Sequence, residues 1–324
     1  MRVALVTSGL ASAHEVAALA RSLTRDGTGV DVLGPGTRGW GEGPYDVVHA
    51  HGSRALPALL TLGWHSPGRV ATADGAAALW PRRRMLEAAD RIICRSRGEA
   101  ARLGRHAPSL TRRIRVVPVA IDTEAVRRAV GFDTGRQVVL CVDRLDREAR
   151  LDRAVAALAA LGDDFELAII GTGPAARGLR RCAEELEVRD RVRFLGATGT
   201  ADLHRWLVSA VAVVALGRRP APGSLLLSAL AAGTPVVASD VPAHRDALEP
   251  LRGGGATLLV PEASPLMVAD ALAEVAERRL VEAPLLAVAT PEQVAAETLA
   301  IYEEATRRRP SATPVAATAA ERAL

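Results

Sequence analysis

The chain has 324 residues, 49% of them hydrophobic, which suits a globular protein of two domains at the usual ~100–200 residues each. Its net charge of +4 rests on 41 basic residues that are all Arg, with no Lys and no Asn anywhere. Arg is therefore the default surface cation, and with 3% aromatic residues the composition argues against a nucleic-acid partner. In chain order, short β-branched runs alternate with helical-period runs, the pattern of βαβ units and parallel sheets. The first series predicts strands at Arg2–Thr7, Gly29–Leu33, Asp46–Ala50, Val70–Thr72, Arg91–Cys94 and Arg113–Val117. Helices are predicted between them at about His14–Arg25, Arg54–Leu62, Arg82–Ala89 and Arg97–Arg105. A Gly-containing polar connector, GFDTGR at Gly131–Arg136, separates this series from a second.

The second series predicts strands at Val138–Val142, Phe165–Gly171, Val192–Leu195, Val211–Leu216, Pro235–Ser239 and Thr257–Val260. Its helices fall at about Leu151–Leu161, Ala175–Leu186, Ala201–Ser209, Leu225–Ala232 and Pro265–Glu277. An amphipathic helix at Pro291–Arg308 presents Val294, Thr298, Leu299, Ile301 and Tyr302 on one stripe with no strand after it. The division expected is an N-terminal Rossmann-like domain over 1–133 and a second Rossmann-like domain over 134–290. A helix over 291–308 crosses back onto the first domain, and a small- and Pro-rich tail over 309–324 is predicted to be disordered. The fold class is α/β, two doubly wound domains facing a cleft, with ligands at strand C-termini. Cys94, Cys141 and Cys182 show no CxxC and no His at ligand spacing, so neither a disulfide framework, a metal nor a cofactor is expected. The opening MRVALVT is too short for a signal-peptide core, and no apolar run of about 18 residues offers a membrane span, which predicts a cytoplasmic protein.

Six phrases occur in a familiar order: DVVHAHG at Asp46–Gly52, ADRIICRS at Ala89–Ser96, RIRVVPVAID at Arg113–Asp122, FELAIIGTGPAARGLRRCAEEL at Phe165–Leu186, DRVRFLG at Asp190–Gly196 and AAGTPVVASD at Ala231–Asp240. Over about residues 1–308 the chain resembles retaining GT-B glycosyltransferases of the family-four type, which include sucrose synthases and phosphatidylinositol mannosyltransferases. The resemblance implies hexosyl transfer from a nucleotide sugar to an acceptor, with the domain over 1–133 on the acceptor side and the domain over 134–290 holding the donor nucleotide. From the residues alone, Gly171 and Gly173 sit between a buried strand and a helix, where free amides and the helix dipole favour an anion; a tight turn is the competing reading. The resemblance places Leu195, Gly196 and Ala197 beside the nucleotide base. It likewise implies that Gly223, Ser224 and Leu225 supply the amides over a diphosphate and that Arg144 is a cation facing the leaving group.

Several motif positions depart from the family pattern. In PAPGSLLLSAL, Pro220 and Ser228 stand where carboxylates touch the sugar and ribose, leaving Ser228 at most a weaker hydrogen bond. In VDRLDREARLD, Ala149 replaces a Lys and Asp143 a Gly, with Arg147 and Arg150 nearby. Leu10 and Ala11 occupy a Gly-Gly pair next to Gly9, which one register shift makes the phosphate-approaching residue. Asp74 takes the place of a His at a strand end, as a hydrogen-bond acceptor for a sugar hydroxyl, and His51 is an acceptor-side contact or a structural hydrogen-bonder. Arg82, Arg83 and Arg84, beside Trp80 and Met85, are compatible with peripheral contact with anionic lipid, or form a solvated helix start. These readings leave three functional expectations, an active transferase, a catalytically degenerate homologue that binds a ligand or partners another glycosyltransferase, and a membrane-surface interaction module that uses the Arg82–Arg84 face.

Overall fold

The computed structural model describes residues 1–7, 10–34, 44–52, 54–62, 68–73, 83–217, 223–248, 257–261, 264–277 and 288–307. The expectations for Gly9, Asp74, Trp80, Arg82, Pro220 and the tail 309–324 lie outside the described residues. The chain divides into two compact units, one of Met1–Val117 with Glu292 onward, the other of Pro118–Pro291.

In the first unit, strands β1 (Arg2–Thr7), β2 (Gly29–Leu33), β3 (Val47–His51), β4 (Gly68–Thr72), β5 (Arg91–Cys94) and β6 (Ile114–Val116) form a sheet in the order β2-β1-β3-β4-β5-β6. Every pairing in it is parallel. The order reverses between β1 and β3, so the open end of the sheet lies beyond Thr7 and His51. Period-two alternation splits each strand between two faces. Ala4, Val6, Val48, Ala50, Ala71, Ile92 and Cys94 join Leu59, Leu86, Leu103 and Leu110 in one apolar core. Thr7, His49, His51 and Thr72 fall on the other face and are buried there. The last helix, Pro291–Arg307, lies against these strands: Glu304 Oε2 accepts from Arg91 Nε at 2.8 Å and from Arg115 at 2.7 Å.

In the second unit, strands β7 (Gln137–Val142), β8 (Phe165–Ile170), β9 (Val192–Gly196), β10 (Ala210–Ala215), β11 (Val236–Ser239) and β12 (Thr257–Val260) are again all parallel. They run β12-β11-β10-β7-β8-β9. Read from β9, that is the Rossmann order, with its switch point between β7 and β10. Val139, Cys141, Leu167 and Ile169 face the helices Leu151–Ala159, Ala176–Glu185 and Pro265–Glu277. Val138, Leu140, Ala168 and Ile170 face Thr200–Ser209 and Gly223–Ala231. Both faces are covered, which is why these strands read as continuous apolar runs rather than alternating ones.

The expected junction at Gly131–Arg136 lies inside the second unit. Val119, Ile121 and Val126 bury themselves with Leu227 and Ala231, so the chain has joined this unit well before the polar connector. The connector itself is fastened: Phe132 N–H donates to Ser209 Oγ at 2.6 Å, and the Phe132 ring lies 4.7 Å from Trp206 and 3.8 Å under the Arg205 guanidinium.

Candidate active site

At the C-terminal edge of the second sheet, three strand-end loops are tied by their backbones. The loop after β7 meets the loop after β8 through Asp143 N–H to Ile170 O at 3.1 Å, Leu145 N–H to Thr172 O at 3.0 Å and Ala175 N–H to Leu145 O at 2.8 Å. The loop after β8 meets β9 through Gly171 N–H to Gly196 O at 2.7 Å. Both glycines of GTG are dictated by this clasp. A Cβ on Gly171 would stand 1.9 Å from Asp143 O, and one on Gly173 would stand 2.3 Å from Leu145 O. The close backbone approach that these glycines permit is thus made by the neighbouring loop. Behind Gly173, the helix Ala176–Glu185 begins at Ala175 without a side-chain cap, so its first turn offers amides at this edge.

The clasp also sets the β7 loop, VDRLDREARLD. Asp143 Oδ1 accepts from Arg144 N–H at 2.7 Å, and Asp146 Oδ1 accepts from Glu148 and Ala149 N–H, capping a single 3-10 turn over Arg147–Ala149. Arg150 follows in the left-handed region, φ 52°, before the helix Leu151–Ala159. Arg144 is exposed, its guanidinium 3.6 Å from the Asp146 carboxylate. Ala149 is buried in the apolar core with Leu145, Leu151 and Ala154. Arg147 is exposed and Arg150 half-buried.

Leu195 and Gly196 close β9, Gly196 with φ 72° and no atom within 4 Å of an added Cβ, and Ala197 is exposed. The fold therefore brings Arg144, Gly171, Gly173 and Gly196 to adjacent strand ends. The helix Gly223–Ala231 follows β10, across the switch point from the β7 loop. Ser224 and Ser228 are half-buried on it, and Leu225 is a core residue beside Val138 and Leu140. Its end is fixed by Gly233, φ 79°, with Gly233 N–H to Leu230 O and Thr234 N–H to Ala229 O, a left-handed helix stop.

The first unit carries a second polar group at its own strand ends. His51 is 3% exposed, and its Nε2 has no hydrogen-bond partner among the described residues. Burial first, then the charge of Arg95, pushes its pKa down to about 3, so the ring is neutral. His49, on the same face two residues earlier, is hydrogen-bonded through Nδ1 to Tyr302 Oη and through Nε2 to Thr72 Oγ1, both at 2.7 Å. Burial, then His51, then Arg95 holds the His49 pKa well below the ordinary value. Arg95 follows β5, paired with Glu15 at 3.0 Å, and its N–H donates to Glu99, which is capped by Ser96 Oγ. The motif search found His51 but missed His49, Tyr302 and Arg95. The available signal was HAH at period two in a wholly buried strand, which puts two imidazoles on one sheet face.

Residues 122–285 match the model of the family Glycosyl transferases group 1, and residues 37–125 that of Glycosyltransferase Family 4. A D-inositol 3-phosphate glycosyltransferase of Xylanimonas cellulosilytica is 28% identical over 316 residues, covering 83% of this chain and 74% of that protein. The protein of the same name from Geodermatophilus obscurus is 30% identical over 277 residues, 73% of this chain and 60% of its own length. Among solved structures, Anabaena HepE in complex with UDP and glucose superposes with a TM-score of 0.71 at 15% identity, over 94% of this chain and 98% of that one.

Proposed function

Since the model of Glycosyl transferases group 1 matches half of its length, the chain belongs to that family, and we propose that it moves a sugar from a nucleotide donor to an acceptor with retention at the anomeric carbon. The observation that carries this reading is the clasp of three strand ends beside the switch point of a Rossmann-ordered sheet. Such a crevice receives nucleotides in folds of this kind. In the proposed complex, backbone groups near Leu195–Ala197 hold the base. The first amides of the helix Gly223–Ala231 and the Arg144 guanidinium take up negative charge as the diphosphate departs. The UDP and glucose bound in HepE support a nucleotide sugar as the donor. The acceptor meets the strand ends of the first unit, where His51 lies.

Calorimetry of the whole chain against nucleoside diphosphates and their sugars, followed by assay of donor consumption and product anomer, tests this directly. Binding of at least one diphosphate, weakened about tenfold or more by Arg144→Ala, is the expected result. No binding at millimolar ligand would overturn it.

A second reading, a degenerate homologue that binds without turnover, draws support from Ala149. Its methyl is 1% exposed within the core, so no cation stands at that position over the leaving group. Restoring carboxylates with Ser228→Glu together with Pro220→Glu separates the two readings. Turnover by the unmodified chain supports the transferase; turnover only after restoration supports degeneracy. Peripheral membrane contact is proposed with less of the expected surface: Arg83 is paired with Glu87 at 3.1 Å, while Arg84 is exposed. Co-sedimentation with anionic against zwitterionic vesicles measures it.

A further inference from the structure

Tyr302 is fully buried, and among the described residues its hydroxyl has one hydrogen-bond partner, Nδ1 of His49, 253 residues away in sequence. A buried O–H with a single neighbour satisfies its proton only by donating to it. A neutral imidazole carries one proton. His49 Nδ1 is then the acceptor, the proton sits on Nε2, and Nε2–H donates to Thr72 Oγ1 at 2.7 Å. That bond occupies Thr72 as an acceptor, so the Thr72 proton is left to point away from His49. Beside this chain, the His51 ring stacks on His49 with centroids 4.0 Å apart and planes tilted by 35°. Thr72 and His51 are register partners at the ends of β4 and β3, next to the order reversal where this sheet opens.

We propose that Tyr302 and His49 are positioning residues for the strand-end site of the first unit. Tyr302 fixes one tautomer of His49, and that ring orients the Thr72 hydroxyl and holds the plane of His51. The inference rests on the transferase reading for what is being positioned, a hydroxyl-bearing acceptor beyond β3 and β4. The chemistry suits it: a directed O–H and a neutral imidazole offer a donor and an acceptor, the pair of roles that hydroxyl groups fill. The helix that brings Tyr302 is separately held by Glu304 on Arg91 and Arg115, so loss of one hydroxyl leaves it docked.

The test uses the full chain with ¹⁵N-labelled histidine and long-range ring correlation spectra, His49 being assigned by its absence in His49→Gln. The expected result is His49 protonated on Nε2 alone. In Tyr302→Phe it populates both tautomers and the His51 ring signals move. With UDP-glucose as the donor, Tyr302→Phe lowers kcat about tenfold with donor KM unchanged, and His49→Gln, which keeps an acceptor and a donor, restores most of that loss relative to His49→Leu. His49 protonated on Nδ1 in the parent chain, or ring signals unmoved by Tyr302→Phe, would overturn the inference, as would a fall in melting temperature with tautomer and kcat intact. A chain without turnover counts against the transferase reading, and the spectra then decide this one.

Discussion

Gly171 and Gly196 both have positive φ, 143° and 72°, yet their neighbourhoods set very different demands. At Gly171 a Cβ collides with the Asp143 carbonyl, whereas at Gly196 it enters open space. Gly171→Ala therefore combines backbone strain with a forced shift of the β7 loop, and we expect it to cost about 3 kcal/mol or more. Gly196→Ala is left with strain alone, about 1–2 kcal/mol. Urea melts of the two variants check the order, and equal losses would remove the clasp as the reason for GTG. The buried histidines make a second prediction at this scale. His49 and His51 bind protons less readily folded than unfolded, since burial lowers both pKa values. The unfolded chain thus binds more protons below about pH 6.5, and stability is complete above that pH and declines as it falls toward 3. Between pH 7.5 and 5.0 His51 is expected to remove about 2 kcal/mol, and His49 adds a loss in the same direction. Denaturation at both pH values measures it; His51→Gln should remove about 2 kcal/mol of the difference, the rest staying with His49, His204 and His244, whose pKa values burial also lowers, and a flat profile in the parent chain would mean that His51 titrates normally.

Among the elements, the last helix is attached to the first sheet by side chains whose partners lie far away in sequence. Arg91 is almost fully buried, and its Nε hydrogen bond goes to Glu304, which also takes Arg115. These two guanidinium groups, Arg91 first, hold the Glu304 carboxyl below its usual range, so its contribution is present above the ordinary carboxylate pKa and lost as the medium becomes more acidic. Glu304→Gln should cost about 1–3 kcal/mol at pH 7, with the partial exposure of the carboxylate keeping it toward the lower figure. The melting temperature at pH 7 and again near pH 3 checks this, the gap between variant and parent narrowing at the lower pH. Much at this scale was legible in the sequence. Strands such as Val138–Val142 and Val211–Leu216 were readable because buried parallel strands are β-branched apolar runs between turn residues. The stripe of Val294, Thr298, Leu299, Ile301 and Tyr302 was readable as a face needing cover, and all of them are buried except Leu299, which is half-buried. What the stripe could not reveal is that Tyr302 meets an imidazole. That contact depends on strand order and helix placement, which no local pattern encodes. For the same reason GTG read as either an anion site or a tight turn: spacing indicates that a backbone comes close, not whose backbone it is, and the nearest atoms to a Cβ added at the two glycines are Asp143 O and Leu145 O.

For the whole molecule, the two six-stranded units bury separate cores and differ in strand order, and the proposed donor contacts all lie in the unit Pro118–Pro291. The sequence located the change of series but set it at a polar connector. The physical boundary comes earlier, after Val117, because Val119, Ile121 and Val126 have already entered the core of the second unit. Units with separate cores need not unfold in one step, and calorimetry of the intact chain should show two transitions. Each has its own handle. Glu304→Gln should lower only the transition of the first unit, whose sheet it fastens. UDP binds the native second unit in the proposed function, so at 100 times its Kd it should stabilise that unit by about 2.7 kcal/mol. For a unit of this size that is a rise of roughly 5–10 °C in one transition. Arg144→Ala, with binding weakened tenfold or more, should remove about half of the rise or more without moving the transition in the absence of nucleotide, because its side chain is exposed and, among the described residues, bonded only across its own loop. A rise in both transitions, or one that survives Arg144→Ala unchanged, would place the nucleotide away from the β7 loop.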